Sequence, residues 1–194
     1  MLIIGSRLIN APVMSLQTGS EIARTEREII DTANLKVIGY ELKGRLLDKH
    51  NLLLRVDEIR EVSDIGMIID SQDELIATGD VIKFDEIREK GFTIIDMPVR
   101  DEKGSKLGKV SDYTLDIGSF IVQQLTVRRP MLKSLNDVEL IIHRSQIIEI
   151  NNKAIVVKSK AEVKDQVYAA SPGAYVNPFR KSEPVASSAD LAHP

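Results

Sequence analysis

The chain has 194 residues, a formal net charge of −3 and an apolar fraction of 43%, so it can fill the core of one medium domain or of two small ones. It has no cysteine, which excludes disulfides, thiolate metal sites and cysteine nucleophiles. With no tryptophan and only 4% aromatic residues, it is poorly suited to stacking bases or sugars.

The apolar segment 1–13 does not have the pattern of a targeting signal. Arg7 interrupts it, no basic stretch precedes it, and no small-residue cleavage site follows it. Elsewhere no run approaches the roughly 18 consecutive apolar residues of a membrane-spanning helix. We therefore expect a soluble, cytoplasmic protein without a membrane span.

Residues 1–79 predict a first small β domain. Short apolar runs rich in Ile, Val and Leu are separated by turn clusters, a pattern typical of strands. In segment 36–42 the alternation places Ile38, Tyr40 and Leu42 on one face. Several short strands at this spacing favour a small β-barrel over alternating strands and helices.

Residues 80–90 predict a connecting helix. Val81, Phe84 and Ile87 recur at helical spacing and would share one side. Asp80 is placed to cap the start of this helix. An irregular linker is the alternative interpretation.

Residues 91–164 repeat the organisation of the first domain. Segment 5–13 aligns with 91–99, and segment 52–62 aligns with 140–150, in the same order and at nearly the same offset. Such internal similarity indicates two copies of one structural unit. The chain is therefore expected to be mostly β, with two tandem small barrels joined by a short helix.

Residues 165–194 differ in composition from the rest. They hold four of the seven prolines, with Ser and Ala between them, and we expect a disordered tail. Tyr175 and Phe179, close to two cations, could form a short linear motif that folds onto a partner. Spacer sequence is the alternative.

The second copy carries a recognisable pattern: an apolar strand ending in Pro-Val, a glycine turn, Leu-Gly-Lys-Val-Ser-Asp at 107–112, and then Asp116. This pattern resembles the PRC-barrel domain. The first copy departs from it, because segment 22–27 lacks both the glycine and the valine. The chain as a whole is therefore similar to a stand-alone protein of two PRC-type barrels.

The resemblance implies a role in protein contact. PRC barrels occur in the cytoplasmic part of a photosynthetic reaction-centre subunit, in a ribosome-maturation factor that contacts a ribosomal protein, and as stand-alone proteins. We expect a non-catalytic protein-binding adaptor or scaffold. The alternative is an RNA-processing or ribosome-associated maturation factor that uses the basic loop of the second copy.

No catalytic, cofactor or metal site is predicted. The three histidines have no metal-ligand spacing. Asp31 and Asp116 occupy equivalent positions, but each begins a turn, where an aspartate accepts backbone N–H bonds. We therefore expect no enzyme activity, although a site between the two copies is kept as a third hypothesis.

Charge is divided unevenly between the copies. Residues 1–79 carry 9 Lys and Arg against 13 Asp and Glu, whereas residues 91–160 carry 11 against 8. Arg128, Arg129 and Lys133 form a local basic loop in the second copy, and we predict that they contact a partner. An ordinary solvated loop is the alternative.

Overall fold

The computed structural model describes residues 1–44, 52–63, 65–129 and 139–158. These parts form fourteen strands and one α-helix, α1 at Ile82–Glu89. The strands are β1 Leu2–Ile4, β2 Pro12–Ser15, β3 Ser20–Asp31, β4 Lys36–Lys43, β5 Leu52–Arg55, β6 Glu61–Ser63, β7 Gly66–Ile69, β8 Ile76–Ala77, β9 Pro98–Asp101, β10 Lys106–Asp116, β11 Ile121–Arg128, β12 Glu139–His143, β13 Ile147–Ile150 and β14 Ile155–Val157. Residues 1–164 form one compact unit, and the predicted tail at 165–194 lies outside the described residues.

The two halves of this unit show the same order of strand pairings. In the N-terminal half, β2 pairs antiparallel with β3 and parallel with β7, while β3–β4, β4–β5 and β6–β7 are antiparallel. In the C-terminal half, β9 pairs in the same two ways with β10 and β14, and β10–β11, β11–β12 and β13–β14 are antiparallel. The pairings therefore follow the internal similarity of the sequence.

The sequence predicted two separate barrels. In the structure the two halves share one sheet instead. Strand order runs β13-β14-β9-β10-β11-β4-β3-β2-β7-β6, and among the described residues this order does not close on itself. Ile121 of β11 pairs with Lys36 of β4, and β1 of the N-terminal half pairs with β10 of the C-terminal half. The prediction of two tandem barrels is therefore not confirmed.

Two hairpin turns explain the continuous sheet. Leu35 and Phe120 end the turns between β3 and β4 and between β10 and β11, and both have a left-handed backbone, with φ of 51° and 55°. The Phe120 carbonyl accepts a hydrogen bond from Val37 N–H, and the Leu35 carbonyl accepts one from Val122 N–H, both at 2.9 Å. Each turn thus extends the sheet into the other half.

One hydrophobic core is common to both halves. Val13, Tyr40 and Leu42 from the first half and Val99 and Tyr113 from the second belong to the same buried cluster. The predicted face of β4 is therefore correct at Tyr40 and Leu42. Ile38 instead packs in a second cluster, because a register shift in the β3–β4 ladder interrupts the alternation.

The Pro-Val pairs begin strands instead of ending them. Pro12 is the first residue of β2 and Pro98 the first residue of β9. Proline has no N–H to donate to the ladder, which makes the first strand position one of the few it can occupy. The preceding segment Gly5–Leu8, which the sequence suggested as strand, is a 3₁₀ helix.

Helix α1 lies within the segment predicted to be helical. Phe84 is buried against Ile29 and Leu53, with Val81 and Ile87 packed beside it. Asp80 does not cap the helix, because its carboxylate accepts the N–H of Ala77. Among the described residues no helix is long and apolar enough to cross a membrane.

Candidate partner-binding groove

The C-terminal half carries a groove of about 660 Å³ where β9, β10 and the end of β11 meet. The half-buried Ile95 and Pro98 give it an apolar floor, and Val99 and Val110 lie beside them with their side chains buried in the core. Its volume lies in the range of roughly 300 to 1,000 Å³ found for small-ligand sites. The groove can therefore hold a short chain segment.

The groove is strongly basic. It is lined by five cations and one carboxylate, that of Asp96: the cations are Arg100, Lys106, Lys109, Arg128 and Arg129. Four of the five are exposed and Arg129 is half-buried. Among the described residues none of the five forms an ion pair within 4 Å. Their charge is therefore free to act on a bound group.

Four of these cations face each other as like-charged pairs. Lys109 lies directly opposite Arg128 in the β10–β11 ladder, and Lys106 lies opposite Arg100 in the β9–β10 ladder. Like charges directly opposite one another destabilise a sheet, by up to about 1 kcal/mol for each pair. An anionic group bound at each pair would relieve its repulsion.

A β-bulge places Lys106 and Lys109 on the same side of the sheet. Residues three apart in a regular strand point to opposite faces. Here the register shifts between Lys106 and Gly108, so that three steps on β10 match two steps on β9. Gly108 has φ +154°, and a Cβ there would collide with the carbonyl of Arg128. The motif glycine thus allows β10 to approach β11 beside the groove.

The equivalent ladder positions of the N-terminal half lack this excess of positive charge. Arg24 lies opposite Lys43 there, and Met14 lies opposite Glu21. Arg24 pairs with Glu21 at 2.8 Å. The same backbone arrangement therefore carries a free cluster of cations in one half and a largely neutralised set in the other.

The structure brings two of the predicted contact residues into this groove. Arg128 and Arg129 line it, whereas Lys133 lies outside the described residues, as do Tyr175 and Phe179. The prediction that Arg128, Arg129 and Lys133 contact a partner stays a prediction.

Three further cations of the groove were missed: Arg100, Lys106 and Lys109. Lys106 and Lys109 flank the motif glycine, which was the available signal. The register of β9, β10 and β11 was also needed to bring them beside Arg128.

Asp31 and Asp116 act within their turns. Asp31 accepts the N–H of Ala33 at 3.0 Å, and Asp116 accepts the N–H and the hydroxyl of Ser119 at 3.1 and 2.9 Å. Asp116 also accepts a hydrogen bond from the N-terminal ammonium group of Met1 at 3.0 Å. That bond, together with those from Ser119, lowers the pKa of Asp116. These contacts fit a role in turn structure.

His143 also has a local role. Its Nδ1 accepts the N–H of Ser145 at 3.3 Å, and this bond caps the short 3₁₀ helix Arg144–Gln146. Within the described ranges no group of three or more His, Cys, Asp or Glu side chains is arranged to hold a metal ion.

Glu28, Tyr40 and Tyr113 form a polar cluster in the shared core. All three are buried, and the two tyrosine hydroxyls have no hydrogen-bond partner in the described part of the chain. Burial raises the pKa of the Glu28 carboxyl and of both tyrosines, because the core solvates their charged forms poorly. The negative charge of Glu28 raises the pKa of the tyrosines further.

The raised pKa of Glu28 predicts a pH dependence of stability. At pH values above 4.5, the ordinary pKa of a glutamate, the Glu28 carboxyl keeps its proton more tightly in the folded state than in the unfolded state. The stability of the wild type relative to Glu28→Gln should therefore fall as the pH rises from about 4 to about 7, with the variant the more stable at pH 7. Urea unfolding at several pH values measures this difference, and two parallel profiles would show that Glu28 is not the cause.

The fold and the groove define a mostly β protein whose C-terminal half presents a basic groove. The family model of the PRC-barrel domain matches residues 86–164, the segment that contains all the described residues that line this groove, including the five cations. The resemblance of the second copy to the PRC-barrel domain is thus confirmed. No curated protein matches the chain.

Proposed function

We propose that this protein is a non-catalytic protein-binding module, an adaptor or scaffold, and that its partner binds in the basic groove. The observation that carries this proposal is a cluster of five cations on an apolar floor, none of which is paired with a carboxylate in the described part of the chain. An apolar centre with a polar rim is the usual anatomy of a protein interface. The PRC-barrel domain supports the same class of function, since it is typical of protein-interaction modules.

The two halves are, in this proposal, two PRC-type units with different tasks. Their identical order of pairings supports a common origin of the units. The N-terminal unit completes the shared core, and at its equivalent ladder positions Arg24 is paired with Glu21, so its contribution is to stability. The C-terminal unit binds the partner.

The chemistry of the groove supports binding over catalysis. Acid–base catalysis needs a side chain placed to exchange a proton with the reacting group. The groove offers one carboxylate, that of Asp96, and one hydroxyl, that of Ser111. The Ser111 hydroxyl is engaged, because it donates to the carbonyl of Thr126 at 3.2 Å. No histidine stands beside either of them among the described residues that line the groove.

Charge reversal at Arg128 tests this proposal. The measurement is affinity capture from a native lysate followed by mass spectrometry. Arg128→Glu should capture about tenfold less partner than the wild type, and Arg128→Glu/Arg129→Glu should capture still less. The melting temperature of Arg128→Glu should stay equal or rise slightly, because the new carboxylate lies opposite Lys109 and replaces a repulsion by an attraction. Loss of binding would then not be caused by unfolding.

Lys43→Glu provides a matched control. Lys43 occupies the ladder position of the N-terminal half that Arg128 occupies in the C-terminal half, and the change in charge is the same. This variant should capture the partner like the wild type. Equal capture by all baits would refute the groove as the site. Loss of every groove-dependent protein after nuclease treatment would support the RNA-associated alternative instead.

A further inference from the structure

Resting on the proposed function, we propose that the groove binds an extended acidic segment of a protein partner in which two carboxylates stand two residues apart. The segment would lie along β10, with one carboxylate at each of the two cation pairs. Charge complementarity and the spacing of the pairs carry this inference.

The spacing follows from the ladder. One pair is Lys106 with Arg100 and the other is Lys109 with Arg128. Lys106 and Lys109 lie opposite Arg100 and Pro98, which are two residues apart on β9. Two residues of a strand span about 7 Å, so the cation pairs are about 7 Å apart along β10. They lie on opposite sides of β10, which displaces them by a further strand spacing of about 4.8 Å across the sheet, a distance that the long Lys and Arg side chains can bridge.

An extended peptide reproduces this spacing. Its side chains at positions i and i+2 point in the same direction and are about 7 Å apart, whereas adjacent side chains point to opposite sides. Carboxylates at i and i+2 can therefore reach both pairs together. The aliphatic parts of the same segment would cover the apolar surface of Ile95 and Pro98. Arg129, the residue after β11, would extend the positive surface beyond the second pair.

The composition of the groove favours a peptide over a nucleic acid. Proteins that bind single strands of DNA or RNA stack bases on aromatic side chains. No aromatic side chain is among the described residues that line the groove. Phosphates could neutralise the cations, but the apolar floor would then be left without a matching group.

Fluorescence anisotropy with the full-length protein tests the inference. The probes are three labelled peptides with a Gly/Ala backbone that differ only in their centre: Glu-Ser-Glu, Glu-Glu-Ser and Gln-Ser-Gln. The Glu-Ser-Glu peptide should bind several-fold more tightly than Glu-Glu-Ser, which has the same charge in the wrong spacing. Gln-Ser-Gln should bind at least about tenfold more weakly, because charge-assisted hydrogen bonds are lost.

Variants locate the binding. Arg100→Gln and Arg128→Gln should each weaken binding of Glu-Ser-Glu by about three- to tenfold. The matched Lys43→Gln should leave it unchanged. Raising the salt from about 50 mM to about 0.2 M should weaken binding as well, because these ion pairs are partly screened.

The outcomes separate this inference from the proposed function. Equal affinity for Glu-Ser-Glu and Glu-Glu-Ser would refute the spacing, and an oligouridine that binds more tightly than any peptide would refute the peptide itself. If no peptide binds while Arg128→Glu still loses a captured protein, the inference fails and the proposed function stands. If capture is independent of Arg128, the proposed function fails too.

Discussion

Replacing Gly5 by alanine is expected to destabilise the protein by about 3 kcal/mol. Gly5 lies in the N-terminal half and packs directly on the ring of Tyr113 in the C-terminal half. A Cβ at this position would overlap three ring atoms. Tyr113 is 1% exposed and surrounded by the shared core, so the ring has little room to move.

Urea unfolding measures this loss, and two further variants make the cause specific. Gly118→Ala should be nearly neutral, because a Cβ at Gly118 has its nearest contact at an ordinary 3.5 Å. Gly5→Ala should cost less than about 1 kcal/mol in a Tyr113→Leu background, since the shorter side chain removes the overlap. A cost that is the same in both backgrounds would show that the ring is not responsible.

Separating the two halves is expected to abolish stable folding of both. Fragments 1–90 and 91–164 would each lose the common core, the reciprocal hydrogen bonds at Leu35 and Phe120, and the β1–β10 ladder. A unit of about 75 residues has a thin core even when it is complete. The full chain should accordingly unfold in one cooperative transition.

Circular dichroism and amide NMR of the two fragments test this expectation. Each fragment alone should show poor dispersion and no cooperative melting, and mixing the fragments should restore part of the folded signal. Two well-folded fragments, or two separate transitions of the full chain, would favour the independent barrels predicted from the sequence over the continuous sheet.

The sequence was sufficient for much of the local structure. Alternation and turn residues predicted the strand character of both halves, and the repeat anticipated their common order of pairings. The apolar spacing of Val81, Phe84 and Ile87 identified the helix and its buried side. These features are local, so periodicity and composition report them directly.

The joining of the two halves into one sheet could not be predicted from sequence patterns. It depends on Leu35 and Phe120, which adopt a left-handed backbone although neither is Gly, Asn or Asp. Nothing in local composition marks two such residues as the link between sheets. Their conformation is stabilised by tertiary contacts, since both are buried in the common core.

The groove shows the same limit. Arg128 and Arg129 stood out in the sequence because they are adjacent in the chain. Arg100, Lys106 and Lys109 come from two other strands, and a bulge decides on which face Lys106 and Lys109 lie. A shift of one residue in a ladder moves every side chain of the strand to the other face of the sheet. Composition alone could therefore not show that these three cations lie beside Arg128.

Photo-crosslinking tests most directly whether the partner binds at the C-terminal groove. The crosslinker benzoylphenylalanine replaces Ser111, which lines the groove, or Glu26, which lies at the same bulge of the N-terminal half. Both variants keep all five cations of the groove. On irradiation in native lysate, the Ser111 variant should form a covalent adduct with a protein, and this adduct should disappear with Arg128→Glu. An equal adduct from the Glu26 position, or one that survives Arg128→Glu, would contradict the groove as the binding site.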